Sequence, residues 1–174
     1  DRIGGKKVIL WSRYPWTKRI QPEADTLFGS RFAAGILETP LGKLRVVGVC
    51  IPYANSCQMA ASRRWQDHQE YLERLQAFLV ADRSMPTMLL GDFNQTIPRR
   101  SQPERVFQAL MRLLTGDMTV ATAGLADSEG EPTIDHVVCS SGLHFRAEGI
   151  FPKTIGDRRL SDHFGIFGSL EKRS

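Results

Sequence analysis

The chain has 174 residues, 41% hydrophobic and 24% charged, with a formal net charge of +4 and a sequence pI of about 9.2, the balance of a single globular domain spanning 1–174 with a core of its own. No apolar run approaches a membrane span, and no secretory signal is read at the start. Cys50, Cys57 and Cys139 are too widely spaced for a disulfide framework or a zinc site, so a reducing, cytoplasmic setting is expected, and the basic balance favours a polyanionic partner only weakly.

In chain order, Lys7 to Ser12 reads as a strand that breaks at Arg13-Tyr14-Pro15-Trp16. Thr17 to Ser30 is irregular and mixed in charge, the pattern of a surface loop. Arg31 to Thr39 and Lys43 to Ile51 are strand-like runs around Pro40-Leu41-Gly42, a hairpin by its turn chemistry. From Met59 to Val80 the period is helical, with Trp65, His68, Leu72, Leu75 and Leu79 on one face. Pro86 precedes a strand from Thr87 to Leu90. Ser101-Gln102-Pro103-Glu104 has the order of a capping box, followed by a helix burying Val106, Phe107, Leu110, Leu113 and Leu114. Met118 to Ala123 is a weaker strand and Asp127 to Pro132 a polar, mobile loop. Thr133 to Ser140, Leu143 to Phe151 and Phe164 to Leu170 are strands. Strands interleaved with two helices and one hairpin predict an α/β domain with mixed sheets.

The stretch Met88-Leu89-Leu90-Gly91-Asp92-Phe93-Asn94 runs from apolar residues into a carboxylate and an amide. On extended backbone, side chains two apart share a face, so Asp92 and Asn94 would project together from the strand end. The plainer alternative is an Asp/Asn turn bonded to its own backbone. Asp135 lies within the apolar run Thr133 to Val138 and needs a specific partner, since a buried carboxylate is costly alone. Ser161-Asp162-His163 offers one: an imidazole held by a carboxylate has its tautomer fixed and its other nitrogen free. A structural hydrogen bond for Asp135, or a polar strand entry for Ser161 to His163, are the competing readings.

Gly91-Asp92-Phe93-Asn94, Ile134-Asp135-His136 and Ser161-Asp162-His163, in that order, resemble the endonuclease/exonuclease/phosphatase superfamily of metal-dependent phosphodiesterases, DNase I-like nucleases included. Leu10 to Pro15 is similar to the family's strand before its first long loop, and the likeness runs from Val8 to Phe167. The resemblance implies a four-layer α/β sandwich of DNase I-like type. It implies that Asp92 orients or deprotonates the attacking water, that Asn94 holds phosphate or that water, that His163 stabilises phosphoryl charge, and that Asp135 orients His163. Asp162 would sit at a divalent metal, Mg²⁺ or Mn²⁺, a hard cation that takes oxygen ligands. His136 matches a motif position but is read as structural.

Two departures stand out. The family's N-terminal strand with an asparagine, and its following strand ending in a metal-binding glutamate, have no counterpart. The chain is therefore expected to be N-terminally incomplete, with an uncovered sheet edge or apolar face open to self-association. Cys50 stands where many relatives place a tyrosine or histidine. Arg99, Arg100, Arg105, Arg158 and Arg159 flank the motifs, and Arg13 and Arg31 bound the first long loop as candidate substrate-binding residues. Such a distribution suits a nucleic-acid backbone. The alternatives are a phosphatase or lipid phosphodiesterase, and a catalytically degenerate protein that binds phosphate ligands or partners.

Overall fold

The computed structural model describes residues 5–21, 29–55 and 64–173. Its elements run β1 (Trp16–Ile20), β2 (Phe32–Thr39), β3 (Gly42–Cys50), α1 (Gln66–Val80), β4 (Thr87–Asp92), α2 (Glu104–Leu113), β5 (Met118–Val120), β6 (Asp135–Ser140), β7 (Leu143–Phe151), β8 (Thr154–Ile155), β9 (Arg158–Arg159) and β10 (Gly165–Lys172). Six strands form a mixed sheet in the order β1-β2-β3-β4-β6-β5, beside a β7–β10 ribbon and a small β8–β9 hairpin. β3 and β4 run parallel, and α1 lies in the crossover that a parallel pair requires.

The β2–β3 hairpin forms where the turn chemistry predicts it. Thr39 pairs with Gly42 across Pro40-Leu41. The Thr39 hydroxyl accepts from the Leu41 N–H and donates to the Gly42 carbonyl, and Gly42 takes the positive φ that closes the turn. β3 then sorts its side chains by alternation. Val47 and Val49 meet Tyr71, Leu72, Leu75 and Leu79 of α1, in a cluster that also holds Leu110 and Leu113 of α2. Leu44 and Val46 face the other way, toward Leu143, Phe145 and Leu170 of the ribbon. Helices thus cover one face of the sheet and the ribbon the other. A side chain as fully buried as Leu75 stabilises this arrangement by about 2 kcal/mol.

The mixed α/β reading holds, with local corrections. Lys7 to Ser12 joins no ladder. It is extended, with Val8 and Leu10 turned against Gly48 of β3, while Ile9 and Trp11 are each 83% exposed. The strand lies instead at β1, in a stretch read as loop. As an edge strand it leaves Thr17, Lys18 and Arg19 exposed, so it lacks the apolar alternation that marks a buried strand. The part of that loop at 22–28 lies outside the described residues. So do 59–63 of the predicted first helix, which begins at Gln66 after a left-handed Trp65. The capping box does not form. Pro103 is the N-cap and makes no side-chain cap bond, and Glu104, already the first helical residue, is held by Arg99 and Gln108. Asp135 opens β6 instead of lying inside it. Among the described residues no helix is long and apolar enough to cross a membrane.

Candidate active site

Three strands end together on one edge of the sheet. The parallel register sets Cys50 of β3 beside Asp92 of β4, and the antiparallel register sets Asp135 of β6 on its other side. Beyond β4 the ladder continues, with Ile51 N–H donating to the Asp92 carbonyl and Phe93 N–H to that of Ile134. Gly91 makes this approach possible. It has φ +131, and a Cβ there would lie 2.0 Å from the Val49 carbonyl oxygen.

Asn94 is not extended. Its φ of 51 turns the chain, and its N–H donates to Asp92 Oδ1 at 2.8 Å. Its Nδ2 donates to Asp92 Oδ2 and to the Ile51 carbonyl, both at 2.8 Å. The two side chains meet through a turn, not through the shared face of a strand. The Asp/Asn turn and the converging pair are therefore the same structure.

Across the edge, His163 Nδ1 and Asp135 Oδ2 are 2.6 Å apart. Asp135 is fixed from below, its N–H donating to the Thr133 hydroxyl, which in turn donates to the Asp135 carbonyl. His163 is presented by a short turn in which its N–H donates to Ser161 Oγ. That segment is tied down by Lys153, whose carbonyl accepts from the N–H groups of Leu160 and Ser161. Lys153 Nζ is gripped by Asp127 and Glu131, so the loop expected to be mobile is instead pinned beside the site. Ligand-type atoms of Asp92, Asp135 and His163 all lie within 4.8 Å of one another.

The electrostatics follow from this crowding. Burial pushes the Asp92 carboxyl up to about 6, with Asp135 adding repulsion and the Asn94 N–H and His163 opposing it. Burial disfavours the His163 imidazolium, but the charge of Asp135 and its hydrogen bond outweigh this and raise its pKa. The Cys50 thiol is pushed up by burial and by Asp92, its sulfur 3.8 Å from Asp92 Oδ2. Arg31 Nη1 donates to the Cys50 carbonyl and sulfur, both at 3.4 Å, which brings Arg31 to the cluster. Arg13 is exposed before β1 and makes no hydrogen bond to these side chains among the described residues. Asp162 is exposed and lines a cleft with Glu131, Asp135, Lys153 and His163. Arg99 is engaged with Glu104 and the Gln102 carbonyl.

A buried chain forms the floor. Val137 N–H donates to the Thr122 hydroxyl, which donates to His136 Nδ1. His136 Nε2 donates to the Gln95 carbonyl, Gln95 Nε2 donates to His68 Nε2, and His68 Nδ1 donates to the Pro52 carbonyl. Carbonyl acceptors fix both tautomers. Burial disfavours charge on both rings, lowering the His136 pKa and taking His68 to about 4. His136 is thus buried with both ring nitrogens hydrogen-bonded. Gln95 and Lys153 carried no local signal in the sequence. Thr133, two residues before Asp135, had one in its spacing.

The chain belongs to the endonuclease/exonuclease/phosphatase family, whose model matches residues 1–163. No curated protein matches it. Among solved structures it resembles a Staphylococcus aureus beta toxin at 14% identity and TM-score 0.59, over 91% of this chain and 65% of that one. A Leptotrichia buccalis endonuclease/exonuclease/phosphatase family protein aligns at 12% identity and TM-score 0.58, over 92% and 63%. A Neisseria 3′ phosphatase bound to a product DNA hairpin aligns at 16% and 0.61, over 92% and 73%. These likenesses establish the DNase I-like α/β fold, and the chain spans less than two thirds of the first two structures.

Proposed function

We propose that this chain is a divalent-metal-dependent phosphodiester hydrolase acting on nucleic acid. The observation that carries the reading is the 2.6 Å Asp135–His163 contact set beside the raised carboxyl of Asp92. A carboxylate titrating near 6 is suited to take a proton from water close to neutral pH. In this reading Asp92 orients and deprotonates the attacking water, and Asn94 fixes Asp92 and lines the approach. His163, whose imidazolium Asp135 favours, turns Nε2 to the phosphoryl oxygens, where charge grows as the new P–O bond forms and the old one breaks. Arg31 adds positive charge from the Cys50 side.

The donor types suit a hard divalent cation. The Asp135–His163 hydrogen bond engages Asp135 Oδ2 and His163 Nδ1, and in this reading Asp92, Asp135 and His163 act as an acid–base cluster. Asp162, exposed on the same cleft, is the proposed metal ligand. A bound Mg²⁺ or Mn²⁺ would neutralise charge on the phosphoryl oxygens.

Nucleic acid is favoured over a small phosphate ester by a cavity adjoining Asn94. It is lined by Arg64, Trp65, Gln95, Thr96, Gln102 and Arg105, leaving room and positive charge for more than one phosphate. The test is cleavage of plasmid DNA and of a small generic diester with Mg²⁺, Mn²⁺ or EDTA, in the wild type and in Asp92→Asn and His163→Ala. Metal-dependent cleavage, reduced at least about a hundredfold in both variants, is expected. A folded protein that turns over neither substrate with either metal would leave phosphate-ligand binding without catalysis.

A further inference from the structure

At the opposite ends of the central strands lies a second polar feature that the chemistry above does not use. Arg45 on β3 is five residues from Cys50, about 16 Å along the strand. It points into the helix-covered side of the sheet and is only 6% exposed. Its Nε donates to the Thr87 hydroxyl at 2.9 Å, and its guanidinium lies over the Phe78 ring, 5.7 Å from the centroid. A buried guanidinium normally has a carboxylate partner, because burying a charge alone is costly. Among the described residues Arg45 has none at ion-pair distance. Asp82 is the acid whose charge acts on it, and its Oδ1 is turned to the N–H and hydroxyl of Ser84.

The two terminal nitrogens of Arg45 make no hydrogen bond among the described residues, yet they are not sealed in protein. Among the described residues the one buried side-chain polar atom without a partner is Gln95 Oε1, so the Arg45 nitrogens keep some exposure, and Arg45 lines a cavity with Arg83, Thr87, Met118 and Ser140. The Ser140 hydroxyl accepts from the Thr87 N–H, which leaves its own proton to donate. Leu79 and Leu113 form an apolar wall, and Asp117 stands exposed at the rim. The cavity measures about 50 Å³, on a scale where about 10–15 Å³ holds one water. That is room for a small anion and too little for a nucleotide.

We propose that this cavity binds a small oxyanion, a carboxylate or phosphate, on the Arg45 fork. The site is separate from the candidate active site and independent of the hydrolase reading. A guanidinium offers two parallel N–H donors to such an anion, and the Ser140 hydroxyl supplies a third.

The test is a ¹⁵N–¹H correlation spectrum of the whole chain titrated with propionate and, separately, with inorganic phosphate. Saturable shifts are expected at the amides of Thr87, Met118 and Ser140, at least about tenfold weaker in affinity in Arg45→Met, whose side chain keeps the packing on Phe78. Arg83→Gln, an exposed change that leaves the core untouched, should weaken binding several-fold and stands in if Arg45→Met fails to fold. Saturation by propionate alone identifies a carboxylate with a short apolar tail, and saturation by phosphate alone identifies the inorganic ion. No saturable shift at these amides with either probe, or the same shifts undiminished in both variants, overturns the proposal. Phosphate binding at the candidate active site is read apart from this, at the amides of Asn94 and His163.

Discussion

Asp92 and His163 are displaced from their ordinary titrations in ways that set both chemistry and stability. The folded Asp92 carboxyl is raised to about 6 by burial, whereas an unfolded aspartate titrates near 3.9. The fold therefore disfavours the ionised form. Its stability is fully present below the unfolded value and declines as pH rises through about 6. Asp92→Asn removes that cost, so the variant should exceed the wild type above pH 6 by on the order of 1–2 kcal/mol and match it below about pH 4. Urea unfolding at the two pH values checks this, and a variant that is weaker at high pH would show Asp92 to be a structural anchor. His163 has the opposite logic. Burial lowers its pKa, and Asp135 more than reverses this, so its contribution is present below the unfolded value and lost as pH rises through the raised one. In metal-free Asp135→Asn the imidazole should titrate lower than in the wild type, with Asp92 and Asp162 still favouring its charge, as read from the ring proton shifts against pH.

At the scale of elements, the site depends on how closely β3 and β4 approach. A methyl at Gly91 would fall 2.0 Å from the Val49 carbonyl oxygen in a backbone conformation of φ +131. Gly91→Ala is expected to cost about 3 kcal/mol or more, and to lose the site even where the fold survives. Chemical denaturation measures the first effect, and the loss of the His163 titration anomaly the second. The sequence made Asp92, Asn94, Asp135 and His163 legible because each sits where an apolar run meets a polar residue. The hairpin and the buried face of α1 were legible through periodicity. What was not legible depended on partners far along the chain. Cys50 meets Asp92 and Arg31 only through strand register, and Lys153 matters only because a distant loop folds onto it. β1 was missed because an edge strand with an exposed, charged face has no hydrophobic pattern to read. The capping box failed for another reason: with Pro103 as the N-cap, Glu104 falls at the first helical position, too early for the Ser101–Glu104 spacing to span the helix start.

Across the whole molecule, two buried groups work against each other. His68 is held neutral with its pKa at about 4. An unfolded histidine binds a proton near 6.5, so this residue makes stability fall as pH drops from there to about 4. Asp92 makes stability fall as pH rises over nearly the same interval. His136, lowered in the same sense, adds to the His68 slope, so between about pH 4 and 6 the wild-type profile should be shallower than that of Asp92→Asn, which should climb by on the order of 2 kcal/mol. Unfolding free energies at half-unit pH intervals reveal whether the slopes oppose each other in this way.

The hydrogen-bond chain beneath the site has a direction. From Val137 through Thr122, His136, Gln95 and His68 to the Pro52 carbonyl, every link is given by the earlier member and received by the next. A polarity of this kind behaves as a parity rule. The two halves meet at Gln95 through different groups, its backbone carbonyl and its side-chain amide. The coupling is therefore confined to the second half: neither His68 nor Gln95 can reverse its role without leaving the other unpaired. Viable exchanges at the two positions should come as pairs, and the cost of the double substitution should fall well short of the sum of the two singles.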